Sequence, residues 1–172
     1  MFRLGKTGLI AALAVALASC AGEKEPPAEQ PAFYRSLASP GAQVDAPTAA
    51  SMISGYRQNN GLAAVTVDPV LMRLAQTQAT AMAAHDKLDH ESKGAFAKRM
   101  KGSGFDPKVT VENVSAGYHT LAEAFSGWRD SPPHRAHMLQ PGVTRIGIAA
   151  VYTPNSKYKV YWALILAAPE GT

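Results

Sequence analysis

The sequence predicts an α+β fold in which helices cover a central, mainly antiparallel sheet, and three features of its 172 residues point there. Apolar residues recur at helical spacing in separate segments up to Pro132. One β-branched run, "VTVENVS" from Val109, lies between two of these segments. Two longer runs, "TRIGIAAVY" and "YKVYWALILAA", follow, and the short turn around Pro154-Asn155-Ser156 makes them antiparallel neighbours. Helices first and strands last is not the alternation of a parallel βαβ array.

With 47% hydrophobic and 17% charged residues, the length suits one globular domain with attachments. The attachments come first. Arg3 and Lys6 make a positive head, and Leu9 to Ala18 is an apolar stretch too short to span a bilayer, so residues 1–19 read as an export signal. It ends in Leu17-Ala18-Ser19-Cys20, which resembles the bacterial lipobox. That resemblance implies cleavage before Cys20 and a diacylglyceryl group on its thiol; an ordinary signal with a chance cysteine is the alternative. Cys20 is the only cysteine, so the lipidated chain has neither a disulfide nor a cysteine nucleophile. Several acyl chains, at roughly 0.8 kcal/mol per buried CH₂, anchor stably. The expected product is an exported envelope lipoprotein, and Ala21 in place of Asp suits the outer membrane where two membranes exist.

Residues 20–47, with "EKEPPAEQP", lack periodicity and read as a flexible tether in which Phe33, Tyr34 and Leu37 either stay loose or dock. The domain is expected over 48–172. Thr48 caps a helix whose Met52, Ile53 and Tyr56 share a face, and Asn59-Asn60-Gly61 stops it. Asp68-Pro69 opens a second helix, with a stripe from Leu71, Leu74, Ala75 and Met82 toward Leu88. A helical turn from Phe96 to Met100 closes at Gly102. Thr120 to Glu123 matches a capping box, Leu121, Ala124, Phe125 and Trp128 follow at i, i+3, i+4, i+7, and Pro132-Pro133 ends that helix. The formal charge is +4, or +2 without Arg3 and Lys6, which speaks against a nucleic-acid partner. Lys98, Arg99 and Lys101 read as a solvated helix end.

The segments "LDHES", "VENVSAGY", "EAFSGW", "SPPHRAHML", "TRIGIA" and "YW" occur in that order over Thr48 to Ala168. Together they resemble the CAP superfamily, the SCP-like group of pathogenesis-related and cysteine-rich secretory proteins. The resemblance implies a three-layer α-β-α sandwich and a cleft tetrad of two histidines and two acids. His90, Glu112 and His134 match three of the four positions; the fourth falls on Ser131, beside Asp130. Glu123 is explained by its capping box. Pro133 and His137 stand where bacterial members commonly carry Gly and Asn; His137 reads as structural or as an added ligand. His85 and His119 are expected to be exposed.

Two imidazoles and a carboxylate, His90, His134 and Glu112, suit an open zinc site with water in the remaining position; the alternative is a hydrogen-bonded polar cluster holding the loops. Three functions follow. The first is a non-enzymatic, membrane-tethered module taking a lipid, cell-wall or protein ligand, the chain itself a monomer. The second is a metal-assisted hydrolase using His134 and Glu112, for which Ser115 and Ser131 lie outside any G-x-S-x-G elbow. The third is a purely structural envelope protein.

Cys20→Ser is expected to release a folded protein from the membrane fraction, because nothing from Glu23 to Thr172 is apolar for long enough to span a bilayer. Carbonate-washed fractionation checks this: a variant still pelleting with membranes means another surface holds it.

Overall fold

The computed structural model describes residues 29–169. The expectations for the signal, Cys20 and the first part of the tether lie outside the described residues. Four strands, β1 (Thr66–Val67), β2 (Pro107–Ala116), β3 (Arg145–Tyr152) and β4 (Val160–Pro169), form one sheet in the order β1-β3-β4-β2. The helices are α1 (Ala46–Gln58), α2 (Pro69–His85), α3 (Phe96–Lys101), α4 (Leu121–Asp130) and α5 (Pro132–Met138). As expected, β3 and β4 pair antiparallel, from Arg145↔Ala167 to Tyr152↔Val160. β2 flanks the other side of β4, also antiparallel, and is left as an edge.

Because strand side chains alternate, β4 is buried on both faces. Trp162, Leu164 and Leu166 join Ile53, Leu121, Trp128, Ile146 and Ile148 in one core cluster, beneath α1 and α4. Tyr161, Ala163, Ile165 and Ala167 join Leu71, Ala75, Ala79, Met82 and Met100 in the other, beneath α2 and α3. The two clusters make the three layers. The alanine face of α2 lets it approach β3 closely, and Gly147 meets it: a Cβ there would lie 2.1 Å from the Leu71 carbonyl carbon.

Three boundaries differ from the sequence reading. α1 is capped by Asp45, whose carboxylate accepts from the Thr48 N–H at 2.8 Å, so Thr48 lies inside the helix and not at its cap. The proline pair does more than end α4: it opens α5, with proline in the first turn, where the missing N–H costs nothing. β1, parallel to β3, has only two residues and no periodicity to betray it. The capping box on α4 is present as expected. Between the loose and docked alternatives for the tether aromatics, Phe33 and Leu37 dock: Leu37 is buried and its N–H donates to His119 O at 2.7 Å, while Tyr34 is 53% exposed.

Arg57 is wholly buried and works as a carbonyl clamp. Its guanidinium donates to Ala63 O, Met138 O, Gln140 O and Val143 O at 2.8–3.0 Å, which ties the end of α5 to α1, and burial lowers its pKa. No helix among the described residues is long and apolar enough to cross a membrane.

Trp128 is 1% exposed, with its ring edge-on to Trp162 at 6.2 Å. Trp128→Ala is expected to cost about 3–5 kcal/mol through the cavity it leaves, read from urea unfolding. A loss under about 1 kcal/mol contradicts this packing.

Candidate functional site

The site is built around the edge strand β2. Val114 belongs to the cluster beneath α2 and α3, so Glu112, two residues earlier, turns its side chain to the same face; Asn113 faces the other way. The Glu112 side chain is 1% exposed, and a charge so far from water requires partners. It has two. Arg99 Nη2 donates to Oε2 at 2.8 Å and to Oε1 at 3.0 Å, and His90 Nδ1 lies 3.0 Å from Oε1. A carboxylate only accepts, so Nδ1 carries a proton, and in the neutral ring the other nitrogen, Nε2, is the acceptor. The His90 side chain is 51% exposed.

Arg99 is the residue that the sequence reading misplaced. Its neighbours Lys98 and Lys101 are solvated, but its own side chain is 7% exposed. Besides Glu112 it donates to Gly94 O at 3.0 Å and to His90 O at 3.1 Å, and its guanidinium lies 5.1 Å from the Phe96 ring centre. Phe96, Arg99 and Met100 fall at i, i+3, i+4, the spacing of an inward stripe. That stripe was the signal available in the sequence.

The opposite wall is α5. The Asn113 side-chain amide donates to His134 O at 3.0 Å, which turns its carbonyl toward His137, whose Nδ1 lies 2.8 Å from it and 3.1 Å from Glu112 O. Two acceptors at one nitrogen make His137 Nδ1 the donor. His137 therefore fastens α5 to β2, the structural alternative of its two readings. The hydrogen bonds of Asn113 and His137 leave the His134 ring without a hydrogen-bond partner among the described residues, half-buried and within electrostatic reach of His90 and His137. Burial lowers its pKa first, then repulsion from His137 and from His90.

The structure thus brings His90, Glu112 and His134 to one place but adds no second acid. Asp130 is 67% exposed and pairs with Arg129 at 2.8 Å. Ser131 forms the α4–α5 junction through its backbone, and its hydroxyl caps nothing. His85 and His119 are exposed. Among the described residues no three His, Cys, Asp or Glu side chains are grouped so as to hold a metal. As they stand, His90, Glu112 and His134 do not fit direct three-ligand zinc coordination, because the Glu112 oxygens are already engaged by a guanidinium and an imidazole N–H.

A separate groove of about 500 Å³ lies beside the start of β2, with the charged Lys101 and Asp106 among its walls. Ala97, Met100, Phe105, Pro107 and Thr110 line it, and the Thr110 hydroxyl is buried without a partner.

The model of the CAP family, the cysteine-rich secretory protein family, matches residues 50–166. The chain belongs to the CAP family. A relative at the sequence level is the uncharacterized protein YkwD of Bacillus subtilis, 32% identical over 102 residues, which is 58% of this chain and 40% of that protein. The match therefore spans well under half of the curated relative. The CAP fold also superposes on an outer surface protein of Borrelia burgdorferi, with a TM-score of 0.65 at 18% identity over 76% of this chain and 99% of that one. An extracellular SCP-domain protein of Bacillus anthracis gives 0.62 at 18% identity over 71% of this chain and 39% of the other. These two neighbours are extracellular or surface proteins, and at such identity the likeness shows the fold.

The lowered pKa of His134 has a sign that stability measurements can read. The fold opposes protonation, so this contribution is complete above the ordinary histidine value of about 6.5 and is lost as pH falls below it. His134→Asn is expected to flatten the decline in urea stability over that range, and the His134 ring resonance in the parent should titrate below about 6.5. A midpoint above that value contradicts the burial described here.

Proposed function

We propose that this CAP domain is an exported, non-enzymatic binding module, held at the cell envelope by a lipid on Cys20, that receives a lipid, cell-wall or protein ligand in the cleft on β2. The observation that carries this reading is the placement of two unlike surfaces on one face of β2, where Thr110 and Glu112 alternate to the same side. Glu112 with His90 supplies a polar end, and the groove lined by Met100, Phe105 and Pro107 supplies an apolar one. Binding sites commonly combine an apolar wall with a few fixed polar groups.

Hydrolysis is the weaker reading on geometric grounds. A His134 general base would need an orienting carboxylate, and Glu112 instead holds His90 and Arg99. Ser115 is 7% exposed, and the partly exposed Ser131 hydroxyl makes no hydrogen bond to His134 among the described residues, so neither is an activated nucleophile. The extracellular and surface character of the structural neighbours supports an exported location. The single cysteine after an apolar segment supports the anchor.

Purified Cys20→Ser protein incubated with peptidoglycan fragments or unstructured peptides is expected to leave them uncleaved and to bind one class of them, or phospholipid vesicles. Ala97→Trp fills the exposed side of the groove without touching the core and is expected to weaken that binding at least tenfold, about 1.4 kcal/mol. Turnover that His134→Ala abolishes replaces the binding reading with the hydrolase.

A further inference from the structure

The cleft already contains a cation. Arg99 Nη2 reaches both Glu112 carboxylate oxygens, at 2.8 and 3.0 Å, and also donates to His90 O at 3.1 Å, Nε donates to Gly94 O at 3.0 Å, and Nη1 is buried without a hydrogen-bond partner among the described residues. With side chains 7% and 1% exposed, the two charges meet away from water, where pairing is strongest and a third charge is least welcome.

We propose that Arg99 is the resident cation of the cleft and sets the charge of the ligand that it accepts. This inference deepens the binding reading above. While Arg99 is in place, Glu112 serves as an orienting group: it holds His90 Nδ1–H and turns Nε2 outward, and it is not a ligand for a divalent ion. A metal bound directly to Glu112 would have to displace the guanidinium from both oxygens or stand beside it. The ligand of the parent protein is therefore one that hydrogen-bonds to His90 and His134 without bringing positive charge to Glu112. Removing the guanidinium leaves a buried carboxylate beside the His90 imidazole, donors of the kind that zinc takes. The arginine thus separates a hydrogen-bonding cleft from a metal-binding one.

Zinc alone is the probe, with the full chain carrying Cys20→Ser so that no thiol competes. In the parent, the Arg99 Nε–H resonance is expected to stay unshifted by millimolar zinc. Arg99→Gln, shown folded by circular dichroism, is expected to bind zinc at least tenfold more tightly than the parent by calorimetry, and to lose the gain when His90→Ala is added. A zinc-induced shift of the Arg99 resonance in the parent overturns the proposal, as does a folded Arg99→Gln that binds no tighter. If Arg99→Gln does not fold, the parent resonance decides alone. Failure here leaves the envelope-binding reading standing, since that is judged by Ala97→Trp and by turnover.

Discussion

A carboxylate buried on an edge strand is the constraint around which the functional end of this protein is organised. Glu112 cannot remain 1% exposed and charged without partners, and its partners come from two other parts of the chain. Arg99 arrives on α3, a six-residue helix that alone would be too short to be stable. His90 arrives on the loop after α2, and Arg99 also donates to carbonyls on that loop. One ion pair therefore positions a helix, a loop and the exposed imidazole. Breaking a buried pair from one side is costly, because the other charge is left unpaired.

The rest of the fold supplies a rigid base. β4 is buried on both faces and lies between β3 and β2, so its alternate residues serve two cores at once. α2 can lie against β3 only because Gly147 has no side chain. On the other face, Arg57 gathers carbonyls around the end of α5, and Asn113 with His137 holds the start and middle of α5 to β2. α5 carries His134, and its hydrogen bonds to β2 run through the backbone carbonyl of His134 and the side chain of His137. The His134 ring is left available.

Sequence pattern and tertiary contact divide here according to range. The Thr120–Glu123 capping box, the Asp68-Pro69 helix start, the Leu121 to Trp128 stripe and the β3–β4 pair were all legible, because each depends on residues a few positions apart or on strand periodicity. The family followed from short motifs in order, and with it three of the cleft residues, His90, Glu112 and His134. Thr48 was misread as a cap because Asp45, three residues earlier, holds that position: its carboxylate accepts from the Thr48 N–H, and the helix has begun before Thr48.

What the sequence by itself determined was the sandwich and the positions where polar groups enter it. What only the tertiary structure decided was the charge state of the cleft. Arg99 and Glu112 are separated by strand and loop, and although the Phe96, Arg99, Met100 spacing places Arg99 on the inward side, nothing local names the carboxylate that it meets there. The same holds for β1, which two residues of parallel pairing define, and for His137, whose role appears once Asn113 is seen to present its carbonyl. Long-range pairing of charges is a property of the folded surface; periodicity is a property of the chain.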